Sequence, residues 1–143
     1  MSTCIVVADT TRARIFMTQS SNDTLNEIEG LVHPESRLHA NQLGSDEPGI
    51  SYDRSGSSHG LGQETDLKKQ EAIRFAREVT DKITEVHRRN HYNKLYIIAA
   101  PAFLGLLRQT IPDTTKQLIA GEVNKNLIQL PPDDIRANLP RYL

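Results

Sequence analysis

The chain has little of what several classes of protein require. It contains one cysteine, no tryptophan, three phenylalanines and four tyrosines among 143 residues. A single cysteine excludes an internal disulfide framework and favours a reducing compartment, and Cys4 lies in an apolar run, as expected of a buried small hydrophobe. No apolar run approaches the roughly 20 residues of a membrane span, and no secretory signal opens the chain. We therefore expect a cytoplasmic protein without membrane insertion.

The chain also lacks an excess of charge of either sign. Its 17 basic and 18 acidic residues leave a net charge of −1. This excludes a strongly basic, histone-like nucleic-acid binder, so any basic surface must come from local segregation of charge. The length suits one domain with one core, and the sequence predicts a single domain over residues 1–143.

Apolar runs in the first third of the chain predict strands. Residues 4–8 and 13–17 are runs rich in apolar and β-branched residues separated by turn formers, which indicates an N-terminal β-hairpin. Apolar residues between Leu25 and Val32 predict a third strand, which the following Pro34 cannot continue.

The second half of the chain alternates helix and strand patterns. From the N-cap Asp66, apolar residues recur at three- and four-residue steps, which predicts a helix to about Arg89 with Asn90 as a left-handed stop. Residues 95–100 predict a central strand, Pro101 begins a helix, residues 118–123 indicate a weaker strand, and a short helix follows 131–132. The predicted fold is α/β, with a mixed sheet and packed helices.

Residues 34–66 break this regularity, because Gly, Ser, Asp, Asn and His dominate there. The pattern predicts a long loop at 34–66, and loops of this length are commonly functional or disordered. Near its end lies the run His59-Gly60-Leu61-Gly62-Gln63. Glycine adopts positive φ without strain, so this run predicts a loop tip that presents Gln63. An ordinary surface loop is the alternative interpretation.

Three familiar kinds of site find no support in the spacing. The histidines and aspartates in or beside the loop are His33, His39, Asp46, Asp53 and His59. They form no paired metal-ligand motif, so no metal is expected, and His33 and His39 are expected to hydrogen-bond loop backbone. A Ser–His–Asp triad would have to use near neighbours, whereas its members normally come from separate elements. No glycine pattern of a nucleotide fold follows a strand, and no cofactor is expected.

Basic residues cluster on the long predicted helix. They are Lys68, Lys69, Arg74, Arg77 and Lys82, with Arg88 and Arg89 at its end. One side of the helix could contact phosphates. Acidic residues are interleaved at three- and four-residue steps, so a solvated face with ion pairs is the alternative.

Two motifs and the order of the elements resemble a known family. The run 59–63, followed by Arg74-Phe75-Ala76-Arg77 on a helix, is similar to the middle domain of archaeal and eukaryotic class 1 peptide-chain release factors. There a Gly-Gly-Gln tip precedes a helix with a similar Arg-Phe-Ala-Arg. The resemblance is closer to small bacterial relatives of that domain, the host attachment proteins, and covers nearly the whole chain. Their marks here are Val7-Ala8-Asp9, Ala13-Arg14-Ile15-Phe16, residues 31–39 and Pro101-Ala102-Phe103-Leu104-Gly105.

The resemblance implies a release-factor middle-domain-like fold and a module that engages the ribosome or tRNA. It implies that Gln63 positions water against the peptidyl-tRNA ester, with Gly62 as its enabling neighbour. The implied RNA-binding residues are His59, Gly60, Lys68, Lys69, Arg74 and Arg77. Leu61 stands in place of the first tip glycine, and stop-codon reading is not expected because the codon-reading domain has no room.

Two hypotheses follow from the resemblance. The first is a release-factor-like module that hydrolyses peptidyl-tRNA in ribosome rescue. The second is a noncatalytic module that binds an unknown protein partner and affects attachment to host cells, in which Gln63 has no chemical role.

Overall fold

A five-stranded mixed sheet organises the chain. The computed structural model describes residues 2–19, 24–33 and 56–140, with the backbone alone for 56–66. The strands are β1 (Thr3–Ala8), β2 (Arg12–Thr18), β3 (Asn26–Val32), β4 (Lys94–Ala99) and β5 (Ile119–Val123). Their order across the sheet is β3-β2-β1-β4-β5. β1 lies at the centre, antiparallel to β2 and parallel to β4. The predicted hairpin and mixed α/β sheet are confirmed.

Four helices accompany the sheet within the described ranges. They are α1 (Gly56–Asn90), α2 (Pro101–Thr110), α3 (Asp113–Lys116) and α4 (Pro132–Ala137). α2 begins with proline, whose missing N–H is not needed in a first turn. After α1, His91 adopts a φ of 53°, so the left-handed stop lies one residue beyond the predicted Asn90. None of these helices combines the length and the apolar character needed to cross a bilayer.

The sheet is covered on both faces by apolar side chains. α1 and α2 pack on one face, over a cluster that includes Val6, Ile15, Val79 and Ile97. The segment that contains α4 packs on the other face, and Ile135 lies there with strand residues such as Ile5. Because β1 and β4 face apolar layers on both sides, their sequences are continuous apolar runs rather than alternating ones.

Cys4 lies in the first of these layers and is fully buried. Its burial raises the pKa of the thiol, since the apolar surroundings disfavour the thiolate. The prediction that Cys4 is a small core residue is therefore confirmed.

The predicted loop at 34–66 is wrong over its last part. α1 begins at Gly56, ten residues before the predicted N-cap Asp66. The run of Gly, Ser and His at 56–62 has weak helix propensity, but it is continuous with a strongly amphipathic helix, and extending an existing helix costs much less than starting one. Residues 34–55 lie outside the described residues.

Candidate functional site: one segment of helix α1

Helix α1 carries every residue that the sequence assigned to the site. Its buried side is the apolar stripe that packs on the sheet, and includes Phe75, Val79, Ile83 and Val86. The stripe fixes the rotation of the helix about its own axis, and therefore which polar side chains point outward. We call residues 67–78 the cationic segment and residues 79–90 the paired segment.

The glycine-glutamine run lies in the helix rather than on a loop tip. His59, Gly60, Gly62 and Gln63 all fall within the helical backbone of α1. Helical φ is negative, so the conformational freedom that motivated the loop-tip prediction is not used at Gly60 and Gly62. The side chains of 56–66 lie outside the described residues, and the catalytic role of Gln63 and Gly62 stays a prediction.

The Arg74-Phe75-Ala76-Arg77 motif is anchored through its phenylalanine. Phe75 is buried, and its ring centroid lies 5.0 Å from that of His33 and 6.0 Å from that of Phe103. With Phe75 fixed between β3 and α2, Arg74 and Arg77 are directed to the surface, where both are exposed. The motif therefore positions two cations by burying the two residues between them, Phe75 and Ala76.

His33 directly follows β3, and its side chain is fully enclosed. It has no exposed surface, and its backbone N–H donates to the carbonyl of Thr11 over 2.8 Å. Its Nε2 lies 2.9 Å from Oε2 of Glu71, and its Nδ1 lies 3.3 Å from Oε2 of Glu78. The imidazole is therefore held between two carboxylates that project from α1 two turns apart.

The two contacts of His33 are not equivalent. A carboxylate only accepts hydrogen bonds, so the Nε2–H donates to Glu71 and the proton of the neutral ring is on Nε2. Nδ1 is buried and makes no hydrogen bond to the residues that the structure describes, although Glu78 is within ion-pair distance. The prediction that the His33 side chain bonds loop backbone is wrong, because two glutamates of α1 surround it instead. His39 lies outside the described residues.

The cationic segment shows more positive than negative charge to solvent. It holds Lys68, Lys69, Arg74 and Arg77 against two carboxylates, Glu71 and Glu78. Both carboxylates are directed toward His33, and Glu71 also lies 3.4 Å from Arg74. Within the described ranges, Lys68, Lys69 and Arg77 have no ion-pair partner.

The paired segment carries a similar number of charges but neutralises most of them. Glu29 of β3 lies 3.7 Å from Lys82 and 2.8 Å from Arg89. Glu85 lies 2.8 Å from Lys82 and 3.9 Å from Arg89. The hydrogen bond from Lys82 lowers the pKa of Glu85, and the same bond raises the pKa of Lys82. These pairs leave little net charge for a ligand to meet.

Two concave surfaces lie near α1 and β1. A groove of about 530 Å³ between the paired segment and the end of α2 is lined by Thr80, Asp81, Thr84, Glu85, Arg88, Thr110 and Pro112. A smaller one of about 390 Å³ lies at the β1–β2 turn beside Asp9, whose Oδ1 already accepts three hydrogen bonds from Thr11 and Arg12. In the part of the chain that the structure describes, no three acidic, histidine or cysteine side chains converge as metal ligands.

The sequence indicated the cations of this site and the interleaved acidic residues, and the i,i+3 pair of Glu71 with Arg74 is present. It did not indicate that Glu71 and Glu78 also contact His33. Glu71 and Glu78 are seven residues apart, so they lie on one helix face two turns apart, which was a readable signal. Their partner His33 is 38 residues from Glu71 along the chain. Only the packing of β3 beside α1 brings these three side chains together.

Comparisons with known proteins assign the chain to a family. A family model described as "Protein required for attachment to host cells" matches residues 4–139. None of the curated proteins compared with the chain matches it. A solved structure, the type II variant of the Ppx/GppA phosphatase of Aquifex aeolicus, is similar over 86% of this chain and 35% of its own, with 14% identity and a TM-score of 0.36. The chain thus spans about a third of that phosphatase's length.

Proposed function

The chain belongs to the family of proteins required for attachment to host cells, and we propose that it acts as an RNA-binding module that engages the ribosome or tRNA. The cationic segment of α1 is the proposed contact surface. A cytoplasmic location is part of the proposal, and an effect on host attachment would then be indirect, through translation.

One observation carries the proposal. Lys68, Lys69 and Arg77 are exposed and have no acidic partner in the described ranges, while both carboxylates of the same segment are directed to His33. A cation without an intramolecular partner can pair with a phosphate without first breaking a salt bridge. Several such cations along one helix segment can provide the phosphate-backbone contacts that dominate affinity for nucleic acids.

Hydrolysis of the peptidyl-tRNA ester is the more specific part of the proposal. Its support is the resemblance to release factors and the position of Gln63 on the same helix, N-terminal to the cationic segment. An ester already activated by the ribosome mainly needs an oriented water and a stabilised oxyanion, both of which an amide can supply. We expect Gln63→Ala to abolish peptide release from stalled ribosomal complexes while it preserves binding. Full release by this variant would remove the catalytic role of Gln63.

Binding is tested by neutralising charge on the two segments separately. The test variant carries Lys68→Gln, Lys69→Gln and Arg77→Gln, and the matched control carries Lys82→Gln, Arg88→Gln and Arg89→Gln. Each phosphate contact contributes roughly one unit to the slope of log affinity against log salt. We therefore expect the test variant to reduce that slope by about two to three, and its affinity for ribosomes and tRNA by about tenfold or more, with a much smaller loss in the control. Equal losses in both variants would contradict a site on the cationic segment.

One observation favours the noncatalytic protein-binding alternative. β3 lies at the edge of the sheet, and its Ile28 and Val32 are 39% and 49% exposed. Exposed apolar residues on an edge strand are a common feature of protein contacts. If the wild-type protein does not cosediment with ribosomes at low salt, and Ile28→Ser with Val32→Ser abolishes its effect on attachment, this alternative replaces the RNA-binding proposal.

A further inference from the structure

We infer that His33 is a proton-dependent clamp on Glu78, and that protonation of His33 strengthens phosphate binding by the cationic segment. The inference rests on the proposed RNA-binding function and adds a regulation to it. It is carried by the geometry of one buried imidazole between two carboxylates of α1.

The neutral imidazole holds one carboxylate and not the other. Its single N–H, on Nε2, donates to Glu71, and the Nδ1 lone pair then faces the Glu78 oxygen at 3.3 Å. In the neutral ring this lone pair and the carboxylate oxygen are both acceptors, so they repel each other and cannot form a hydrogen bond. The side chain of Glu78 is half exposed, at 51%, so it has room to move away from His33 and toward solvent.

Protonation reverses this contact. Both ring nitrogens of a charged histidine are donors, so Nδ1–H can donate to Glu78 while Nε2–H keeps Glu71. Histidine is the side chain whose charge normally changes between about pH 5 and 8. The protonated His33 ring then binds both carboxylates. The cationic segment also gains one positive charge beneath its exposed lysines and arginines.

Among the described residues, few charged groups other than the two glutamates lie near His33. On α1, the nearby charged groups are Glu71, Glu78 and Arg74, the last paired with Glu71 at 3.4 Å. The β1–β2 turn presents the Thr11 carbonyl to the backbone N–H of His33, and the turn carboxylate Asp9 is bound to amides and the hydroxyl of the turn itself. Toward α2 the ring meets Phe75, with Phe103 behind it. Within the described ranges, the two glutamates are therefore the carboxylates placed to respond to the proton.

The expected effect on RNA binding follows from Coulomb's law. One added charge about 10 Å from a phosphate changes the affinity by between about twofold and tenfold, according to how well water screens the pair. A second contribution has the same sign, because a clamped Glu78 no longer competes with phosphate for neighbouring cations. We define the acid ratio as Kd at about pH 7.5 divided by Kd at about pH 5.5, which bracket the histidine titration.

The experiment measures Kd for a fluorescently labelled RNA hairpin and for tRNA at both pH values and constant ionic strength. We expect an acid ratio of about two to ten for the wild type. Glu78→Gln should bind more tightly at the higher pH and show a smaller acid ratio, because the carboxylate that gains from the proton is gone. His33→Gln should also show a smaller ratio, and circular dichroism at both pH values checks that it is folded.

Two controls separate this effect from other histidines and from net charge. His87→Gln removes a different histidine of α1, and Glu85→Gln makes the same charge change in the paired segment; both should keep the wild-type acid ratio. If Glu78→Gln binds RNA with an unchanged acid ratio, the clamp is overturned while the RNA-binding proposal stands. If the wild type binds neither RNA at either pH, the RNA-binding proposal fails and the regulation fails with it.

Discussion

The cationic segment and the paired segment belong to one helix, yet they treat their charges in opposite ways. In the paired segment, Lys82 and Arg89 are matched by Glu85 and by Glu29 from the neighbouring strand. In the cationic segment, the carboxylates of Glu71 and Glu78 are directed to a buried histidine instead. Composition is similar in the two segments, so the difference comes from what lies beside each.

This difference shows that a surface of exposed cations can arise from the direction in which the neighbouring acidic side chains point. β3 runs alongside α1 and presents Glu29 to the paired segment and His33 to the cationic one. Glu29 neutralises positive charge in the paired segment, whereas His33 engages the two helix carboxylates of the cationic segment. Lys68, Lys69 and Arg77 are left without an acidic partner among the described residues. The variants below alter one side of this comparison at a time.

The largest expected effect is the loss of the anchor in the cationic segment. Phe75→Ala removes a buried ring that packs on His33 and Phe103, and should lower the free energy of unfolding by about 3 to 5 kcal/mol. Phe75→Leu retains apolar volume and should cost about 1 kcal/mol. Urea denaturation measures both. A loss below about 1 kcal/mol for the alanine variant would show that the motif is not held by its phenylalanine.

A smaller effect is expected where the paired segment joins α2. The Thr80 and Thr110 hydroxyls lie 2.7 Å apart, and Thr80 is buried. Thr80→Val keeps the shape but removes this bond, and should cost about 1 kcal/mol by thermal denaturation. Thr84→Val is the matched control, since the Thr84 hydroxyl donates to the Thr80 carbonyl of its own helix and to no other described residue. A larger loss in the control would contradict a role for the Thr80–Thr110 bond in holding the helices together.

Removing Glu29 should make the paired segment resemble the cationic one. Glu29→Gln removes one of the two carboxylates that pair with Lys82 and Arg89, and leaves Glu85 as the other. It should lower stability by no more than about 1 kcal/mol and tighten RNA binding by about twofold to tenfold. Glu27→Gln makes the same charge change on the same strand, but Glu27 pairs with Arg14 and not with α1. An equal gain in affinity from both variants would indicate a net-charge effect rather than release of the two cations.

The smallest effect concerns the pH dependence of the Lys82–Glu85 pair. Because the folded state lowers the pKa of Glu85, this pair adds stability above the ordinary glutamate pKa, and that contribution is lost as the pH falls through the lower folded value. The wild type should therefore exceed Glu85→Gln in stability at about pH 6 but not at about pH 3, with the gap reduced by salt. A gap that persists in acid would show that the pair is not its source.

The sequence predicted the fold in the places where local patterns were strong. The apolar run at 4–8, the proline at 101 and the amphipathic period after Asp66 each depend on neighbours in sequence, and each element was confirmed. The start of α1 was missed because its first turns are rich in glycine and serine, and a helix can extend into poor sequence when its later turns are held by packing.

The site was less readable because it depends on contacts across the fold. Arg74 and Arg77 were recognised from a motif, and their outward direction follows from the burial of Phe75. The pairing of His33 with Glu71 and Glu78 could not be read from spacing, since it requires β3 to lie against α1 in one register. The roles of Gln63 and Gly62 in ester hydrolysis stay predictions, because they concern a substrate rather than contacts within the fold.

The placement of β1 has a consequence for the order of folding. β1 pairs on one side with β2, its neighbour in sequence, and on the other with β4, so that Thr3 lies opposite Lys94. Closing a short hairpin loses little chain entropy, whereas β1 and β4 meet only after most of the chain is brought together. We expect the three-stranded meander to form early and the β1–β4 ladder to form late. His33 lies at the end of this meander, whereas Glu71 and Glu78 lie on α1. We therefore expect the contact of His33 with the two glutamates to form late, together with the β1–β4 ladder.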